Sequence, residues 1–184
     1  MRVLTEAWLV IALSVGFGAG LAGVHAALRD RIRANQAAEI RAQIPKLVPG
    51  ADAGRSEEVR PGVFRALDAG GRPVGWVLQG KDQGFADVVQ ILVGLDEEGG
   101  KLTGIYVLDN KETPGLGNRI EEAEWRAQFA GAPAREPLRT VKGAPSGPGQ
   151  VRAVTGATIS SETVTRIVNA TVAEWRKSRA AGKD

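Results

Sequence analysis

The chain has 184 residues, 43% hydrophobic and 24% charged, with a formal net charge of +3, a composition that suits one globular domain with an appendage. It contains no cysteine, which excludes disulfides, thiolate zinc sites, cysteine-ligated iron–sulfur clusters and c-type haem attachment. Its lone histidine, His25, lies near the end of an apolar run, which excludes a Ser-His-Asp triad or a multi-histidine metal site in the rest of the chain, and its scattered basic residues argue against nucleic-acid binding.

After a short N-terminal tail (1–6), Ala7 to Leu28 reads AWLVIALSVGFGAGLAGVHAAL, twenty-two residues whose only ionisable side chain is His25. At about 1.5 Å per residue this makes roughly 33 Å of helix, enough to cross a hydrocarbon core. A cleaved signal peptide would have a shorter apolar run and a more basic start than Arg2 alone, so a retained transmembrane helix in contact with lipid is expected. Small residues spaced by four, Ala12-Gly16-Gly20 and Ala19-Gly23-Ala27, suit close approach of another membrane helix. Arg29, Arg31 and Arg33 follow the span, and by the positive-inside rule alone they place the rest of the chain in the cytoplasm.

A helical stalk is expected over 29–48, where Ile32, Ile40 and Ile44 keep helical spacing and Pro45 marks the end. A compact domain over 49–177 and a tail over 178–184 complete the division. Pro49-Gly50 to Arg60 is turn-rich. Strands are expected at Val63–Leu67, Pro73–Gln79, Val88–Leu95 and Leu102–Leu108, with Glu97-Glu98-Gly99-Gly100 as the turn between the last two. In the third of these, Val89, Ile91, Val93 and Leu95 face one side and Val88 and Leu92 the other, so both faces are expected to be covered. Two helices follow: Glu121–Phe129, with Trp125 and Phe129 one turn apart, and Glu162–Arg176, with Val164, Ile167, Val168, Val172 and Trp175 on one stripe. Gly143 to Gly149 is a loop. The fold class is α+β, helices packed on a twisted, largely antiparallel sheet, preceded by one transmembrane helix.

Two stretches are chemically suggestive. In Val154-Thr155-Gly156-Ala157-Thr158-Ile159-Ser160-Ser161, Ser160 is the expected N-cap of the last helix. The residues before it then lie near free backbone N–H groups and the positive end of a helix dipole, a natural place for a phosphate or, equally, an ordinary capped loop. In Lys111-Glu112-Thr113-Pro114-Gly115-Leu116-Gly117, proline and two glycines make a tight loop that holds Leu116 outward, either toward a flat ring or simply at a sharp strand-to-helix turn.

Together these stretches resemble a known family. Thr155-Gly156-Ala157-Thr158-Ile159-Ser160-Ser161 resembles the flavinylation motif of FMN-binding domains, and Glu112-Thr113-Pro114-Gly115-Leu116-Gly117 resembles the matching loop in the G subunit of the Rnf electron transport complex. The likeness extends over the anchor, the stalk, the strand run and the terminal helix. It implies FMN joined through its phosphate to the Thr158 hydroxyl by a separate flavin transferase. Thr155, Gly156, Ala157 and Ser160 are then expected at the phosphate end, Thr113, Gly115, Leu116 and Gly117 beside the ring, and Glu112 among the cofactor-binding residues. Lys142 is expected either to favour a reduced, anionic flavin or to be simply solvated.

The resemblance further implies an electron relay that is not catalytic alone, working with other membrane subunits of an ion-translocating ferredoxin:NAD oxidoreductase. It puts the domain on the extracytoplasmic side of the cytoplasmic membrane, against the vote of the charges. Arg152 departs from the motif, which usually has an acidic residue three positions before its first residue. The C subunit of a Na⁺-translocating NADH:quinone oxidoreductase and a non-flavinylated assembly protein are the alternatives.

Overall fold

The structure, a computed structural model, describes residues 2–182. The chain divides into two compact units, 1–39 and 40–184. A single helix, α1 (Arg2–Leu47), runs without a break through the ranges expected as span and stalk, and carries Pro45 in its last turn. In the first unit the large apolar side chains from Trp8 to Leu28 are exposed. Among the described residues this is the one helix long and apolar enough to cross a membrane.

The second unit is a three-layer arrangement around a five-stranded antiparallel meander. Its strands, β1 (Glu57–Arg60), β2 (Val63–Leu67), β3 (Pro73–Gln83), β4 (Val88–Asp96) and β5 (Leu102–Asp109), lie in sequence order. β4 pairs with β3 over its whole length, from Gly75 opposite Asp96 to Gln83 opposite Val88. The alternation read from β4 sets the layers. Val89, Ile91, Val93 and Leu95 join the core beneath the last helix, α3 (Thr158–Ala180). Leu92 points the other way and packs with Val77, Phe64 and the end of α1 through Ile40, Ile44 and Leu47. Val88 departs from the expectation: it starts the strand and is exposed.

The apolar stripe of α3 is buried as read, with Val164, Ile167, Val168, Val172 and Trp175 all in the core. The helix comes very close to the sheet at Gly80, where an added Cβ would lie 2.2 Å from Thr171 Oγ1 and 2.6 Å from Ile167 Cγ2. At the C-terminal end of α3 the rings of Trp175 and Trp76 meet at 5.4 Å, and the Arg179 guanidinium covers both.

Three local expectations are corrected. The segment expected as one helix over Glu121–Phe129 is a 3-10 turn (Gly117–Glu121), a single α turn, α2 (Ala123–Arg126), and a second 3-10 turn (Ala127–Phe129), interrupted where Glu122 is extended. Trp125 and Phe129 still pack edge to face at 5.2 Å. Glu57–Arg60, read as turn, is the edge strand β1, too polar (EEVR) to show an apolar period. Two three-residue strands, β6 (Arg139–Val141) and β7 (Gln150–Arg152), form a separate parallel pair around the loop over Gly143–Gly149. α3 extends to Ala180, and residues 183–184 of the expected tail lie outside the described residues.

Candidate functional site

Three segments converge at the N-terminal end of α3. The first is the β3–β4 turn, Gly84 to Asp87; the second is the loop after β5, Glu112 to Gly117; the third is the opening of α3. They enclose a cleft of about 370 Å³ lined by Phe85, Glu112, Thr113, Leu116, Gly117, Gly156, Ala157, Thr158, Ile159 and Ser160. Its walls are unusual for a soluble surface, because Phe85, Leu116 and Ile159 are each about half exposed or more. Exposed side chains of that size gathered in one concavity mark a ligand site rather than a packing accident.

The helix opening differs from the expected one. Ala157, not Ser160, is the N-cap, and no side chain caps the helix. Helix geometry therefore leaves the first-turn N–H groups without intrahelical partners, and the first turn carries no acidic residue to answer the dipole. Gly156 supplies the turn into the helix with φ +84°, and its face toward the cleft is closed by Leu116, whose Cδ2 would lie 3.1 Å from an added Cβ. The half-buried Thr158 thus stands at N1 with its side chain in the cleft.

Ser160 sits one turn inside, buried, and its hydroxyl donates to Oε2 of Glu112 in a short hydrogen bond. The other carboxyl oxygen, Oε1, accepts the Ala86 amide at 3.0 Å. Ser161 is also buried: its hydroxyl donates to the Ala157 carbonyl and accepts from the Val154 amide, both at 2.9 Å. The loop after β5 is held from within. The Gly115 amide donates to Asn118 Oδ1 at 2.8 Å, and the Leu116 amide to the Thr113 carbonyl at 3.1 Å.

Ion pairs flank the cleft. Lys111 meets Asp87 at 3.0 Å, and the Val88 amide, then the Lys111 ammonium, hold the Asp87 carboxyl below its usual range. Arg166 meets Asp82 at 2.5 Å and lowers that carboxyl in the same way.

The residues singled out from sequence fall into two groups. Glu112, Thr113, Leu116, Gly117, Gly156, Ala157, Thr158 and Ser160 line one cleft. Gly115 shapes its loop (φ +75°) without lining the cleft. Thr155 and Lys142 instead line an adjacent, larger cleft of about 680 Å³ with Arg119, Glu122, Trp125 and Arg152. Arg152 belongs to β7; its side chain is exposed, while its carbonyl accepts the Trp125 indole N–H at 2.8 Å. Sequence reasoning misses Phe85 and Ile159. Phe85 stands in a polar stretch, QGFAD, where a lone large aromatic with no periodic partner is the available signal.

A cofactor with a flat ring and a phosphate fits these walls: apolar side chains for the ring, and free amides at a helix start with a glycine beside them for the phosphate. Residues 84–173, which contain every cleft residue, match the model of the FMN-binding domain family. This segment is similar to FMN-binding domains over just under half of the chain. The G subunit of the ion-translocating oxidoreductase complex of Methanosarcina acetivorans is 34% identical over 109 residues, 59% of this chain and 55% of that protein. The G subunit of the Na⁺-translocating ferredoxin:NAD⁺ oxidoreductase complex of Acetobacterium woodii is 39% identical over 104 residues, 55% of this chain and 49% of that protein. The chain thus spans about half the length of these relatives. The chain shares its fold with the crystal structure of the C subunit of the Na⁺-translocating NADH-quinone reductase of Parabacteroides distasonis. The TM-score is 0.55 at 22% identity, over 62% of this chain and 60% of that one.

Proposed function

We propose that this chain is a membrane-anchored flavoprotein that relays electrons within an ion-translocating ferredoxin:NAD oxidoreductase complex of the Rnf type, with FMN held as a phosphoester of Thr158. The observation that carries the reading is that residues of the TGAT helix opening and of the ETPGLG loop, about forty residues apart in sequence, line one half-apolar cleft. Bound FMN supplies the electron chemistry that the chain's own side chains lack. The protein's part is position and field. Thr158 and the first-turn amides of α3 hold the phosphate, Gly156 lets it approach, and Leu116, Phe85 and Ile159 offer apolar contact to the ring. Lys142 and Thr155 line the neighbouring cleft and fit a role at the phosphate end or in solvent.

A separate flavin transferase makes the attachment in this reading, as the resemblance to the flavinylation motif implies. The exposed apolar helix α1 suits a single-pass anchor among the complex's other membrane subunits, with the FMN-binding domain on the extracytoplasmic side. Labelling of a cysteine engineered at an exposed position, such as Glu98, by a membrane-impermeant reagent in intact cells checks that side.

The decisive test is chemical. Protein made alongside its transferase and run under denaturing conditions is expected to carry flavin fluorescence on the polypeptide, and Thr158→Ala is expected to abolish it. Fluorescence that persists in the variant refutes attachment there. The fold shared with the C subunit of the NADH-quinone reductase keeps that assignment as the second reading, and the proteins that co-purify with the chain decide between the two.

A further inference from the structure

The family resemblance counts Glu112 among the cofactor-binding residues; its surroundings in the fold give it another task. It is 4% exposed and both carboxyl oxygens are engaged by protein, Oε1 by the Ala86 amide of the β3–β4 turn and Oε2 by the Ser160 hydroxyl on α3. Its own amide donates to Asn110 Oδ1 at 3.0 Å, which fixes the loop from which the side chain leaves. One carboxyl group therefore ties together the three segments that make the cleft. The neighbouring backbone is shaped around it: an added Cβ at Gly84 would lie 2.4 Å from Oε1, and one at Gly117 would lie 2.7 Å from Oε2 and 2.8 Å from Ser160 Oγ.

We propose that Glu112 is a positioning residue, a buried brace that assembles the cleft and settles which hydroxyl is available for modification. Between Thr155 and Ser161 there are four hydroxyls. Ser160 is buried with its proton committed to Glu112, and Ser161 is buried and committed to Ala157 and Val154. Thr155 is exposed on the adjacent cleft. Thr158 alone of the four is both within the cleft and not buried. The second half of this proposal rests on the flavin reading; the first half, the brace, does not.

The brace depends on reach more than on charge. Glu112→Gln keeps the length: its amide oxygen accepts from Ala86 and its amide nitrogen donates to Ser160 Oγ. Glu112→Asp keeps the charge and is one methylene too short to hold both. The experiment uses the full chain in detergent, with and without co-expressed transferase. Hydrogen exchange at the Ala86 amide is expected to quicken by about tenfold in E112D, with Val93 in β4 unchanged as the control for global folding, and by much less in E112Q. Covalent flavin occupancy is expected to fall in E112D and to be rescued in E112Q. Should E112D fail to fold, Ser160→Ala carries the same test, since it frees Oε2 without adding bulk and is expected to quicken exchange at Ala86.

Equal exchange at Ala86 in E112D, E112Q and the unaltered chain overturns the brace. Flavin found on Ser160 or Ser161 by peptide mass mapping of T158A overturns the selection. If the unaltered chain carries no covalent flavin, the functional reading fails, while exchange at Ala86 in the flavin-free protein still decides the brace.

Discussion

The two ends of α3 solve opposite problems. At its C-terminal end the fold closes over large apolar side chains: Trp175 and Trp76 are 1% and 5% exposed, with Arg65 and Arg179 laid over their rings. At its N-terminal end Phe85, Leu116 and Ile159 stay exposed while Glu112, Ser160, Ser161, Thr163 and Thr165 are buried. That inversion is costly unless every buried polar group is satisfied, and here each has a partner within the described residues. Apolar outside and polar inside is how a fold prepares a cavity for a ligand that is itself part apolar and part charged.

This contrast makes separable predictions. Trp175→Ala, at the closed end, is expected to cost about 3–5 kcal/mol, because the packing around a fully buried indole cannot collapse to fill it. Thermal unfolding of the variant measures it, and flavin occupancy below the transition should be unchanged. If occupancy falls as steeply as stability, the two ends are not independent.

Gly84→Ala forces a methyl against Glu112 Oε1 and the Asp87 carbonyl and is expected to cost about 1–3 kcal/mol. Unlike the tryptophan variant, it should lower flavin occupancy well before the transition. Gly156→Ala adds a Cβ at φ +84° beside Leu116, with an expected cost of about 1–2 kcal/mol and the same preferential loss of flavin.

The smallest effect is electrostatic. The folded state lowers the Asp82 carboxyl, chiefly through the Arg166 hydrogen bond, so the pair stabilises fully above the ordinary carboxylate value and that contribution is lost as pH falls from there through the lowered folded-state value. Both groups are substantially exposed, which limits the contribution to a few tenths of a kcal/mol. Acid titration of the unfolding midpoint in Arg166→Gln should show that small dependence removed.

The sequence is informative where burial repeats. The period of β4 and the stripe of α3 yield both layers, since a run of alternating or four-spaced apolar residues has one way to hide. It is uninformative where structure is set across the chain. β1 and the β6–β7 pair are too short or too polar to carry a period. Ser160 has the chemistry of an N-cap, and only a partner 48 residues away, Glu112, turns it inward instead. For the same reason Glu112 reads locally as a loop carboxylate beside a ligand, whereas in the fold it faces protein. Phe85 has no local pattern at all; it matters because the β3–β4 turn ends over the opening of α3.

The contact at Gly80 has a consequence for the cleft. Where α3 crosses β3 it rests on bare main chain, with Thr171 and Ile167 seated in the notch. The height of the helix above the sheet is therefore set by two β-branched side chains, stiff at their first torsion, that rest directly on main chain. A methyl at position 80 would act as a wedge under a lever: it would tilt the helix about that fulcrum and carry Thr158 out of line with the loop it faces, from a position that touches neither.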